Sequence, residues 1–80
     1  MARYHFDFKT GGTTQADDEG VELPHLSAAI REAELAAREV LAEAIKSRKQ
    51  KVPEAVVITD DSGSEVYSLP VVAVLPESLK

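Results

Sequence analysis

The chain reads as an α+β domain of order ββαββ, with one helix packed on one face of a small antiparallel sheet. Three observations predict this. Residues 3–9 alternate polar and aromatic side chains at period two, the mark of a half-buried strand. Residues 27–47 place apolar side chains at about 100° per residue, the mark of an amphipathic helix. Residues 55–59 and 64–69 are β-branched runs on either side of Asp60-Asp61-Ser62-Gly63, a hairpin with Asp opening the turn and Gly supplying its left-handed position.

The elements follow in order. Tyr4, Phe6 and Phe8 point to the core, which leaves Arg3, His5, Asp7 and Lys9 on the other face. Gly11-Gly12 turns the chain into a short second strand at 13–16. Asp17-Asp18-Glu19-Gly20 is a second turn, and Val21-Glu22-Leu23 an extended piece leading to Pro24. Ser27 is expected to cap the helix, whose core stripe is Leu26, Ile30, Ala33, Ala37, Val40, Leu41 and Ala44. Tyr4, Phe6 and Phe8 are expected to pack on that stripe. Lys46, Arg48 and Lys49 complement the negative end of the helix dipole, and Pro53 closes the element. Pro70 removes a ladder donor, and the apolar run 71–75 is expected to continue as a further strand.

Composition narrows the function. The chain has 80 residues, room for a single domain spanning 1–80. Of its hydrophobic residues, 44% of the total, eleven are Ala, so the core is thin and its stability margin small. The absence of Cys excludes disulfides and thiolate metal sites. No apolar stretch approaches the roughly 18–20 residues of a membrane span, and no signal-peptide pattern opens the chain, so a cytoplasmic protein with no membrane partner is expected. A net charge of −5 argues against binding to nucleic acid.

No catalytic constellation stands out. His5 and Asp7 share a strand face, a spacing that can orient an imidazole for acid–base work, but no nucleophile elbow accompanies them. A solvent-facing polar pair is the plainer reading. His25 lies in the loop before the helix. Asp17-Asp18-Glu19 and Asp60-Asp61 offer oxygen ligands for a hard cation, yet Asp before Gly is ordinary turn chemistry and no metal-ligand spacing such as His-x-x-x-His occurs. Gly11-Gly12 lacks the Lys and Ser/Thr of a phosphate loop. Lys46, Arg48, Lys49 and Lys51 could face an anion, although a solvated helix end accounts for them. No cofactor, metal or catalytic residue is therefore assigned.

Met-x-Arg-Tyr-x-Phe at the start, Asp18-Glu19-Gly20-Val21-Glu22-Leu23-Pro24, and the Ala-rich helix opening Leu26-Ser27-Ala28-Ala29 resemble a family of short uncharacterised bacterial proteins. These are found in nitrogen-fixing soil bacteria and their relatives and carry a domain of unknown function. Val57–Gly63, with Val66 and Leu69-Pro70, resembles that family's closing hairpin, so the likeness covers roughly residues 1–70. It implies a cytoplasmic bacterial protein and transfers no functional residue. A looser likeness over residues 3–46 is to HicB-type antitoxins, through Glu22-Leu23-Pro24-His25-Leu26 leading into an Ala/Glu-rich helix, and implies protein–protein contact with a small toxin.

The function expected from the sequence is a non-catalytic interaction module that self-associates, most simply as a homodimer, or that binds another small protein. Leu35 falls about 180° from the core stripe, and a strand at 71–75 would leave Val71, Val72 or Val74 uncovered, so these four residues are the expected interface. An antitoxin-like partner of a small toxin is one alternative. A small metal-dependent hydrolase using His5, Asp7 and the acidic loops is the other.

Overall fold

The computed structural model describes residues 1–48 and 52–79. The aromatic–polar alternation forms β1 (Ala2–Thr10). One edge of β1 pairs antiparallel with β4 (Ala55–Asp60), with Phe6 opposite Ile58 and Phe8 opposite Val56. Beyond it lies β5 (Glu65–Pro70), joined to β4 through the expected hairpin and interrupted by a bulge at Ile58/Thr59. The other edge of β1 carries two short antiparallel strands in line, β2 (Thr13–Gln15) and β3 (Val21–Leu23). The sheet runs β2-β1-β4-β5, with β3 also on β1. With one helix, α1 (Leu26–Ser47), on one face, this is the expected α+β architecture, the extended piece 21–23 adding a third short strand before the helix to the ββαββ order.

Alanine sets the helix–sheet distance. Ala29, Ala33 and Ala37, one per turn, are fully buried against a cluster containing Val56, Ile58, Leu69, Val71 and Tyr4. A methyl group holds the helix backbone close to the sheet, and Leu26, Ile30, Leu41 and Val74 pack around the contact. Ala29, outside the expected stripe, belongs at its centre. Val40, placed in that stripe, is half-buried and turns towards the side of the helix. Phe6 and Phe8 reach the core on the expected face but are only half-buried.

Two local expectations are corrected. The helix cap is His25, with extended backbone (φ −162°, ψ 169°) and Nδ1 accepting from the Ala28 amide at 3.2 Å. Ser27 already lies inside the helix, and its Oγ is 2.8 Å from the same nitrogen. Imidazole does the work of the short hydroxyl or carboxylate side chains that usually cap. Residues 71–75 do not form a strand: Val71–Val74 is a 3₁₀ turn. Pro70 ends the ladder, the Val71 amide donates to the Glu54 carbonyl at 2.9 Å, and Leu75 closes onto Val72. Three residues per turn send Val71 and Val74 to the same side, into the core, and leave Val72 60% exposed. Lys49 and Lys51 lie outside the described residues. At the other end of α1, Arg48 caps in the left-handed conformation, its amide reaching Ala44 and Ile45.

The alanine stripe gives a direct test. Ala33→Leu should overpack the helix–sheet contact and cost about 1–3 kcal/mol in urea unfolding. Leu35→Gln, on the outer face of α1, should change stability by no more than about 0.5 kcal/mol. Equal effects would mean that the buried stripe is misplaced.

Candidate functional site

The chemistry-bearing residues of β1 act on a loop. Residues 16–20 bulge out between β2 and β3. Phe8 faces Gln15 and Tyr4 faces Val21, so the three residues of β1 between them are matched by five on the edge, two more than a ladder can pair. The Asp17 side chain fills the gap: Oδ2 accepts the Phe6 amide at 3.1 Å, while Oδ1 accepts the amides of Gly20 at 3.2 Å and Glu19 at 3.3 Å. The opposite face of β1 then grips the loop backbone. Arg3 donates to the Glu19 carbonyl at 2.7 Å, His5 Nδ1 to the Asp17 carbonyl at 2.7 Å, and Asp7 Oδ1 accepts the Asp17 amide at 2.9 Å. Gly20 has no substitute: φ is +73°, and a Cβ there would stand 2.9 Å from both His5 Cε1 and the Tyr4 carbonyl oxygen.

The two acidic loops do meet, on either side of His5. Its Nε2 is 3.5 Å from Asp61 Oδ1, while Asp17 and Asp18 lie across the same shallow depression with Asp7 on its floor. Asp60 is occupied by its own turn: Oδ1 accepts from the amides of Ser62 and Ser64 and from the Ser62 hydroxyl at 2.6 Å. Among the described residues, no three His, Asp or Glu side chains converge as a metal-binding group.

These contacts shift the protonation equilibria. The Asp17 carbonyl, accepting from Nδ1, raises the His5 pKa above its ordinary value of 6.5; burial opposes this and Asp61 adds to it. For Asp17, burial raises the pKa, but the amides of Phe6, Gly20 and Glu19 together with His5 outweigh it and hold the group below its ordinary value. The Ser62 hydroxyl leads in lowering Asp60.

The helix face holds a second feature that the sequence did not signal. α1 lies over β4, β5 and the 3₁₀ turn and touches β3 near its own start, so the β1–β2 side of the sheet is left open. Two adjoining hollows of about 360 and 400 Å³ run along the helix there. Phe6 and Phe8 floor them, with Ala36, Val40 and Pro53 alongside and Gln15, Ala16 and Val21 on the far wall. The rim is acidic: Glu32, Glu39 and Glu43 on α1, Asp17 on the loop. The available signal was dimensional, since one helix about 10 Å wide cannot roof four strands spaced about 4.8 Å apart.

Of the expected interface residues, Leu35 is 48% exposed on the outer face of α1 and Val72 is exposed, whereas Val71 is buried and Val74 half-buried. The structure does not bring the four together into one exposed patch.

The shifted His5, Asp17 and Asp60 groups predict a stability profile with two falling limbs. The raised His5 pKa gives stabilisation that is complete below about pH 6.5 and is lost as pH rises through the raised value. The lowered Asp17 and Asp60 pKa values give stabilisation present above the ordinary carboxylate range and lost as pH falls through the lowered values. The melting temperature should therefore peak near about pH 5–6; His5→Gln should flatten the alkaline limb and Asp17→Asn the acid one. Gly20→Ala should cost about 1–3 kcal/mol, while Gly12→Ala, whose Cβ meets nothing within 4 Å, should be nearly neutral.

No curated protein and no solved structure matches the chain. The family described as "Domain of unknown function (DUF6894)" matches residues 3–73, which take in β1 from its second residue, the other four strands, α1 and most of the 3₁₀ turn. The chain belongs to this family, the DUF6894 domain of unknown function.

Proposed function

We propose that this domain is a non-catalytic binding module that holds another protein in the open groove beside α1. The observation that carries the reading is the state of Phe6 and Phe8. The chain has four aromatic residues, and two of them stand half-buried along a groove. Among the described residues the large side chains that are fully buried are Val56 and Ile58, and in so thin a core leaving aromatic surface wet sacrifices stabilisation of about 25 cal/mol per Å². A partner that covers the two rings recovers it.

The polar cluster on the other face supports the same reading. His5, Asp7 and Asp17 each spend hydrogen bonds on the backbone of the 16–20 loop, which is work of folding. Self-association through a strand at 71–75 has lost its strand, and Val71 is already in the core, so the partner proposed is a different protein. An antitoxin-like role, suggested by the resemblance of residues 3–46, would be one instance of such binding.

The test is differential capture from cells of the native host, read by mass spectrometry. Ala36→Trp fills the groove; Leu35→Trp adds the same bulk on the outer face of the helix. One identified protein should be retained by the parent and by Leu35→Trp and lost, at least about tenfold, with Ala36→Trp. Retention that is indifferent to Ala36→Trp would contradict the proposal.

A further inference from the structure

From the groove's dimensions and charge we infer the chemistry of its occupant: a cationic amphipathic helix, with an apolar stripe that lies on Phe6 and Phe8 and Lys or Arg along the flank facing α1. The inference rests on the binding reading above and adds the class of partner to it.

Three observations carry it. The first is charge. Among the described residues, every ionisable side chain lining the two hollows is acidic and no cation lines either. Glu32, Glu39 and Glu43 stand along one side of α1 over eleven residues, a rise of about 16 Å, with small Ala36 between them. A basic flank of matching length pairs with this row, and electrostatic complementarity of this kind selects partners and speeds encounter.

The second is width. The uncovered strip is the Phe6–Phe8 stretch of β1 and the β2 edge beside it, two strands or roughly 10 Å, which is the breadth of one helix. A second helix beside α1 would sit at the usual 8–10 Å separation, close approach being allowed by Ala36 in the same way that Ala29, Ala33 and Ala37 allow it towards the sheet.

The third excludes the rivals. An extended peptide would need an edge to extend, but this edge is two three-residue strands with the 16–20 loop bulging between them. A second copy with its groove turned to this one would set Glu32, Glu39 and Glu43 against their own duplicates across the two-fold axis.

The experiment uses the full chain and an 18-residue synthetic helical peptide with Leu and Ala on one face and Lys on the other, titrated by NMR with calorimetry in parallel. Three control peptides replace Lys by Gln, replace Lys by Glu, or scramble the Lys peptide so that no apolar stripe remains. The Lys peptide should shift the Phe6 and Phe8 ring signals. Its affinity should fall roughly tenfold in the double variant Glu39→Lys/Glu43→Lys and hold in Glu65→Lys, placed on β5. Binding should weaken as salt rises. Equal binding of the Gln peptide, blocked by Ala36→Trp, would overturn the cationic partner and leave the groove reading standing. Equal binding of the scrambled peptide would overturn the helix. If no peptide moves the Phe6 and Phe8 signals, both this inference and the groove reading fall.

Discussion

The Asp17 carboxylate holds this fold together at its weakest line. β1 is the spine of the sheet, and along its outer edge the even-numbered residues pair outward: Ala2 and Tyr4 with β3, Phe8 and Thr10 with β2. Phe6 falls in the interval. An amide left without a partner there would cost about 1–3 kcal/mol, a large fraction of what a domain of this size has to spare. Asp17 supplies an acceptor from a side chain where backbone cannot reach, and with its second oxygen it turns the loop back through Gly20. Arg3, His5 and Asp7 follow from this. Once the loop is fixed at Asp17, alternate residues on the open face of β1 meet its carbonyls and amide in succession. His5 and Asp7, which share a strand face in the sequence, thus both bond the loop backbone.

A different economy shapes the helix face. Alanine lets α1 sit close to Val56 and Ile58, and the same choice makes α1 a narrow roof. The tail contributes a 3₁₀ turn to the β4–β5 side, adding Val71 and Val74 to the core. Among the described residues nothing comparable covers the β1–β2 side, where Phe6 and Phe8 lie beside a row of glutamates. The two faces of β1 thus have separate tasks, the odd-numbered residues securing the edge and the even-numbered aromatics bordering both core and groove.

Much of this was legible beforehand. Period two in 3–9 and period 3.6 in 27–47 gave the strand, the helix and the face each buries, because side-chain direction is set locally. Asp60 and Gly63 announced their hairpin by turn chemistry alone. What escaped was decided by contacts distant in the chain. Pro70 and an apolar run are compatible with a strand or a 3₁₀ turn, and the Glu54 carbonyl, seventeen residues before Val71, is part of what settles it. His25 caps because its ring happens to reach Ala28, a role that statistics assign to smaller side chains. That Asp17 would bond Phe6 needed the two-residue offset between β2 and β3, which no pattern within either strand reveals.

The most direct measurement is amide hydrogen exchange at Phe6, resolved by NMR in the parent and in Asp17→Ala. The Phe6 amide faces an edge with no strand beside it. If the carboxylate completes the ladder, this amide is protected in the parent and exchanges far faster in Asp17→Ala, while amides of the buried β4 core, such as Ile58, stay protected in both. A Phe6 amide that exchanges freely in the parent, or one whose protection survives the loss of Asp17, would contradict the account.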